Sequence, residues 1–487
     1  MIKLNREDYR NKVHACWIGK NIGGTMGGPF EKKREYLDVK GYVTPAGEPL
    51  PNDDLDLQLV WLHATEKLGP KAINCQTLGD FWVRFIPPHW NEYGIGKVNM
   101  RMGIPAPACG DYKNLWKHSN GAWIRTEVWA CMAPAAPEVA ARYAIEDAKV
   151  DHGVGEGTYA AAFVAAMQSA AFVEKDIRKL IAIGLANIPT ESRMADSIRA
   201  LVDCYDQHMS EREARDFILE RNADIGDGWF QAPSNVAYAV LGLLWGEGDF
   251  KRSMLAAINC GDDTDCTAAT VGATLGIMYG KEGIPADWQA HIGDTIITIS
   301  VATGVLTTVP KTCTELTERV VRQAPHVLFA NAADVELSDG ESDWAADVSE
   351  TFAKSTAVAD YLRSLRPYAA EYTFGPVRAT ISTVEAPDIK PMGEVHVHVR
   401  FENLCRIYGN CPTNLRLRWL LPEGFTVEGE TRFVRMAYKN MLGDVRDPEI
   451  DVVIRAGERV DVTNRVVLEF EIQDHATVGY VPLVLLG

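Results

Sequence analysis

The sequence predicts a multidomain chain of two classes: an all-α domain over the first three-quarters and an all-β sandwich at the end. Two observations carry this. Before residue 370 apolar residues recur with helical spacing and almost no segment alternates. Past Pro367 the texture changes to period two, in Val395-His396-Val397-His398-Val399-Arg400-Phe401, Leu415-Arg416-Leu417-Arg418-Trp419, Phe433-Val434-Arg435-Met436, Ile450-Asp451-Val452-Val453-Ile454 and Val466-Val467-Leu468-Glu469-Phe470-Glu471-Ile472. Such strands with turns between them suggest an antiparallel, immunoglobulin-like sandwich. The expected organisation is a helical domain over 1–330, a linker with a short helix over 331–370, and a β-domain over 371–487. With 47% apolar and 24% charged residues, a chain of 487 residues has material for a large core.

Taken in order, Arg6 to Ile18 reads as a helix running into Gly19, Gly23 and Gly27. Glycines four apart share one face, which would let a second helix approach closely. Each weakens a helix by about 1 kcal/mol relative to Ala, so that packing must offset the loss; a glycine-rich loop is the alternative. Gly28-Pro29 should end the helix and leave Glu31 just beyond it. Pro51-Asn52-Asp53-Asp54-Leu55-Asp56 opens a second helix with an acidic first turn, a pattern that capping also explains.

The stretch 80–135 reads as an irregular, Trp-, Pro- and Gly-rich segment with a turn at Asn120-Gly121. Glu138 to Val150 is amphipathic, and His152 stands before a small-residue helix over 158–172. Helical periodicity continues through 176–188, 192–221, 234–246, 249–258, 265–280 and 286–302, more weakly through 312–323 and 356–366, with Gly226-Asp227-Gly228 among the breaks. In the β-domain His396 and His398 share a strand face and could ligate a metal, although a solvated face explains them as well.

The stretch Asn259-Cys260-Gly261-Asp262-Asp263-Thr264-Asp265-Cys266 places three carboxylates ahead of a helix of small residues, with no Lys or Arg from 259 to 280. Like charges at that spacing repel, and desolvating them is unfavourable unless something positive compensates. With the acidic turn at 52–54, it suits an all-oxygen site for a hard cation such as magnesium.

In this order, Gly19-x3-Gly23-x3-Gly27-x3-Glu31, Asn52-Asp53-Asp54 and Gly261-Asp262-Asp263-Thr264-Asp265-Cys266 resemble the ADP-ribosylglycohydrolase family over about residues 8–325. Asn120-Gly121-x3-Arg125 resembles the family's ligand loop, and His152 sits where the family often has a His. The resemblance implies two magnesium ions held by Asn52, Asp53, Asp54, Asp263, Asp265 and Cys266. It implies catalytic carboxylates at Glu31, Asp53 and Asp54, and substrate contacts from Asn120, Gly121 and His152. Cys266 departs from the Thr often found there, and a thiol is a poor magnesium ligand, so one ion is expected to be altered or absent.

The expected function is magnesium-dependent hydrolysis of a glycosidic bond in an ADP-ribosyl or related substrate, small or protein-linked, with a metal-activated water attacking the anomeric carbon. The alternatives are another N- or O-glycoside or nucleoside-like substrate, and a catalytically silent ligand-binding protein. A net charge of −17 argues against nucleic acid as a partner. No apolar run is long enough for a membrane span, the N-terminus is polar, and ten cysteines lack any C-x-x-C pair; these features suggest reduced thiols in the cytoplasm.

Overall fold

The structure, a computed structural model, describes residues 1–226, 230–404, 413–429, 431–436, 447–473 and 475–487. It divides the chain into two compact units, 1–94 with 115–364, and 95–114 with 365–487. The first is helical apart from one parallel pair, β1 (Ile2–Asn5) beside β2 (Val335–Ser338). The segment 331–370, expected as a linker with a short helix, carries β2 and two helices, Val348–Lys354 and Ala357–Ser364.

The glycine helix runs unbroken from Arg6 to Gly27, capped by Asn5, whose side chain accepts from the Asp8 N–H. Its glycines meet the core helix, Thr264–Tyr279, at backbone contact. A Cβ on Gly19 would lie 2.1 Å from Gly272 O, one on Gly23 2.3 Å from Ala268 C, and one on Gly27 2.3 Å from Thr264 O. Small residues answer from the other side, where a Cβ on Gly276 would lie 2.4 Å from Ala15 O. Burial of both helices thus compensates the weak helix propensity of glycine, and the loop alternative is set aside. The Thr264 hydroxyl donates to Gly27 O at 2.8 Å, satisfying a carbonyl freed at the end of the glycine helix. A single 3-10 turn, Gly28–Phe30, then delivers Glu31.

Several expected elements change. The run 192–221 is two helices, Arg193–Asp206 and Glu211–Arg221, because a capping box between Ser210 and Glu213 starts the second. Helix 286–302 stops at Ile292, where Gly293 takes a φ of +69°, and the backbone beyond it bonds to a side chain of the acidic helix described below. The segment 80–135 is less irregular than expected: it contains the helices Asn91–Arg101 and Glu127–Met132, and Cys75–Phe85 overlaps its start. The helix expected over 312–323 extends from Cys313 to Ala330. Of Gly226-Asp227-Gly228, only Gly226 lies among the described residues, with a φ of +58°.

The second unit contains β3 (Ala369–Phe374), β4 (Val377–Thr383), β5 (Glu394–Asn403), β6 (Thr413–Leu420), β7 (Thr426–Glu428), β8 (Phe433–Met436), β9 (Glu449–Arg455), β10 (Thr463–Ile472) and β11 (Val478–Leu486). They form two sheets, β3-β4-β5-β9-β7 and β11-β10-β6-β8. Reading β4 to β7 as strands A to D and β9 to β11 as E to G gives A-B-E-D facing G-F-C, the immunoglobulin-type arrangement, with β3 and β8 added at edges. Val397, Val399 and Phe401 of one sheet and Leu415, Leu417, Leu468 and Phe470 of the other share one core. His396 is exposed while His398 is buried, its Nδ1 2.8 Å from Asp451 Oδ1, so the two do not form a common solvated face.

Eight cysteines are free and buried; Cys405 and Cys411 lie outside the described residues. Among the described residues no helix is long and apolar enough to cross a membrane.

Candidate active site

Three chain segments bring carboxylates together. The first is the acidic helix, Asp53–Leu68, whose cap Asn52 accepts the Asp54 N–H through Oδ1 at 3.0 Å. Asn52 fits there because residue 24 is glycine: a Cβ on Gly24 would lie 2.0 Å from Asn52 Nδ2. The second is Glu31, placed by backbone bonds from Lys32 N to Asp262 O (2.9 Å) and from Asp262 N to Lys33 O (2.6 Å). That close pairing requires Gly261, which has a φ of +75° and on which a Cβ would lie 2.5 Å from Lys33 O. The third is the start of the core helix. Asp263 stands at its N-cap without capping it, so its carboxylate is free to accept from Asn120 Nδ2 at 2.6 Å.

Asp54, Asp265 and Cys266 converge, with one ligand atom from each within 4.8 Å of the others. Cys266 Sγ donates to Asp54 Oδ1 at 3.3 Å, while Asp54 Oδ2 and Asp265 Oδ1 are buried without a partner. Burial, helped by the neighbouring carboxylates, favours the protonated form of the acids around this group. Burial, with Asp265 and Asp56 nearby, pushes Asp53 up to about 7. Burial and then Asp265 also raise Asp263 and Glu31, and Asp54 is raised by burial against the pull of Lys20. Asp262 stands apart, its Oδ2 accepting from Asn235 Nδ2 at 3.0 Å.

Sequence reasoning missed the layer beneath. Lys20, on the glycine helix, is fully buried with its Nζ 3.1 Å from Glu127 Oε2 and bonded to Ile124 O at 2.6 Å. Despite burial, Glu127 and Asp54 hold the Lys20 pKa above its usual value. Gln58 ties Glu127 to the Asp54 carbonyl, donating to both at 2.9 Å. Polar residues amid the apolar runs Cys16–Ile22 and Leu55–Val60 were the available signal. Asp56 was likewise passed over. Its Oδ2 accepts the Ile299 and Ser300 N–H groups at 2.6 and 2.5 Å, fixing a loop against the acidic turn.

The expected substrate contacts fall differently. Asn120 lies at the cluster, its Oδ1 accepting from Trp123 Nε1 at 3.0 Å. Gly121 packs on Glu92, where a Cβ would meet Oε1 at 2.2 Å. His152 has no exposed surface; its Nε2 lies 3.3 Å from Ser119 Oγ and its Nδ1 2.9 Å from Asp151 Oδ1. Arg125 is buried between Asp147 and Asp151, at 2.8 and 2.7 Å, and also bonds to Gly121 O. His152 and Arg125 therefore support the 119–121 turn from below, and Asn120 carries the turn to the acidic cluster through Asp263.

The fold and site define a class: a helical protein with an acidic cluster gathered where helices begin. The chain belongs to the ADP-ribosylglycohydrolase family, whose model matches residues 5–325. It is similar to the ADP-ribosylarginine hydrolase Tri1 of Pseudomonas putida (strain GB-1), 40% identical over 54 residues, which are 11% of this chain and 15% of that protein. The protein of the same name from Serratia proteamaculans (strain 568) is 40% identical over 50 residues, 10% and 14% of the two chains. The matched stretch thus spans about 15% of the length of these curated relatives. Among solved structures, an "ADP-ribosylglycohydrolase-related protein complex" aligns with a TM-score of 0.43 at 18% identity, covering 65% of this chain and 99% of that one.

Proposed function

We propose that the protein is a magnesium-dependent hydrolase that cleaves the glycosidic bond of an ADP-ribosyl or closely related group. One observation carries the reading: carboxylates from three separated segments converge in a buried, mutually repelling cluster that leaves Asp54 Oδ2 and Asp265 Oδ1 without partners. Within the family, that cluster is the place for the chemistry.

The donors suit a hard divalent cation, because the unpartnered atoms are carboxylate oxygens. Asp54 and Asp265 would hold it, with Asp53 and Asp263 beside them. Asn52 Oδ1 accepts the Asp54 N–H and keeps a second lone pair that could face the cation, whereas Cys266 offers a soft thiol already donating to Asp54 and adds no good ligand. When bound, magnesium supplies charge neutralisation and a lowered pKa for water. Asn120 orients the Asp263 carboxylate through its amide. Glu31, half-exposed and raised by burial and by Asp265, would take the proton of an attacking water. Gln58 holds the Asp54 carbonyl and Glu127 together, with the Lys20 charge beneath them. The reading is tested by incubating purified protein with ADP-ribosyl-arginine and ADP-ribosyl-serine peptides, with magnesium or with chelator. Release of ADP-ribose in magnesium alone is expected; no release from either peptide overturns it.

A further inference from the structure

One side chain of the acidic cluster does not match the chemistry of the rest. Cys266 follows Asp265 directly in the first turn of the core helix, and it is buried. A buried cysteine usually serves as a small apolar residue among apolar neighbours. Cys266 instead turns its sulfur to carboxylates. Its Sγ lies 3.3 Å from Asp54 Oδ1, and one ligand atom each from Asp54, Asp265 and Cys266 falls within 4.8 Å of the other two. Among the described residues, the other cysteines that are free and buried join no such group.

The spacing is that of ligands around one ion. A thiolate at about 2.3 Å and a carboxylate oxygen at about 2.0 Å from a tetrahedral zinc stand about 3.5 Å apart, close to the separation of Cys266 Sγ and Asp54 Oδ1. The proton that Sγ donates to Asp54 would leave to solvent as the metal takes its place. Two further donors wait beside that pair. Asp54 Oδ2, on a residue with no exposed surface, and Asp265 Oδ1 are both buried without a hydrogen-bond partner. The set is therefore carboxylate oxygen with one soft sulfur. Magnesium takes the oxygens and leaves the sulfur unused, whereas thiolate and carboxylate together suit zinc, a borderline cation.

We infer that Asp54, Asp265 and Cys266 form a zinc-selective site that competes with magnesium for the two carboxylates. The inference rests on reading the cluster as a cation site and names the ion that the thiol at 266 selects. The test titrates zinc and magnesium into the cation-free full chain by calorimetry, wild type beside Cys266→Ser, with cobalt as a spectroscopic stand-in for zinc. Wild type should bind zinc saturably, and the zinc-over-magnesium affinity ratio should fall at least about tenfold in Cys266→Ser. Magnesium should bind zinc-loaded protein at least about tenfold more weakly than cation-free protein. Cobalt should give wild type a sulfur-to-metal charge-transfer band that Cys266→Ser lacks. No zinc binding to wild type, an unchanged ratio, no such band or one that survives in Cys266→Ser, or magnesium binding indifferent to zinc overturns the inference. If Cys266→Ser does not fold, Asp265→Asn takes its place: loss of the cobalt band supports the site, and its persistence overturns it. The peptide assay reads the hydrolase separately, because ADP-ribose release in magnesium can succeed or fail whichever way zinc binding falls.

Discussion

At the scale of the residue, the site depends on a counter-charge absent from its own sequence neighbourhood. No basic residue lies between 259 and 280, yet Lys20 reaches the cluster from the glycine helix, buried against Glu127 and next to Asp54. Removing one member of a buried pair leaves the other charged and unsolvated, which costs about 3–5 kcal/mol. Lys20→Met should therefore unfold in chemical denaturation at clearly lower denaturant, while the doubly neutral Lys20→Met/Glu127→Gln should recover most of the loss. Equal destabilisation of the two would mean that packing around the side chain, not its charge, matters.

At the scale of the element, the glycine helix and core helix work as one unit. Their backbones touch through Gly19, Gly23 and Gly27, and this contact sets Glu31 beside Asp265. Gly23→Ala would thrust a methyl to 2.3 Å from Ala268 C, so it should destabilise the fold by about 1–3 kcal/mol or more, read as a drop in Tm. A neutral or stabilising effect would contradict the packing described. This element was legible in the sequence because glycines at period four have one simple structural use. The two acidic stretches were legible for a similar reason: repelling charges near apolar runs call for a partner. Pairings across long separations were not legible. The Asn120 amide meets Asp263 across 143 residues, and nothing local in either segment names the other. The break within 192–221 was also hidden, because both halves continue one helical pattern and only the Ser210–Glu213 capping box separates them. His152 stood out in sequence at the mouth of a helix, but burial turns it toward Ser119 and Asp151.

At the scale of the whole molecule, the acidic cluster links stability to both protons and cations. A carboxylate raised in the folded state above its unfolded value near 4 binds more protons folded than unfolded between those values, so stability falls as pH rises through that window. Asp53, pushed up to about 7 with burial as the first cause, spreads that loss over about pH 4 to 7, so it is complete on the alkaline side of neutral. Magnesium would replace the lost protons. The rise in Tm on adding magnesium should therefore be larger at about pH 8 than at about pH 6, measured by thermal unfolding of chelator-treated protein. An equal or larger rise at the lower pH would contradict the linkage. The β-sandwich supplies none of the carboxylates in the cluster, all of which belong to the helical unit.

The most direct test of the central claim is calorimetric titration of magnesium into cation-free protein, wild type beside Asp265→Asn. The account predicts saturable binding to wild type that is lost or weakened more than tenfold in the variant, since Asp265 Oδ1 is one of the two unpartnered oxygens of the cluster. Absence of binding to the wild type, or the same affinity in both proteins, would contradict it.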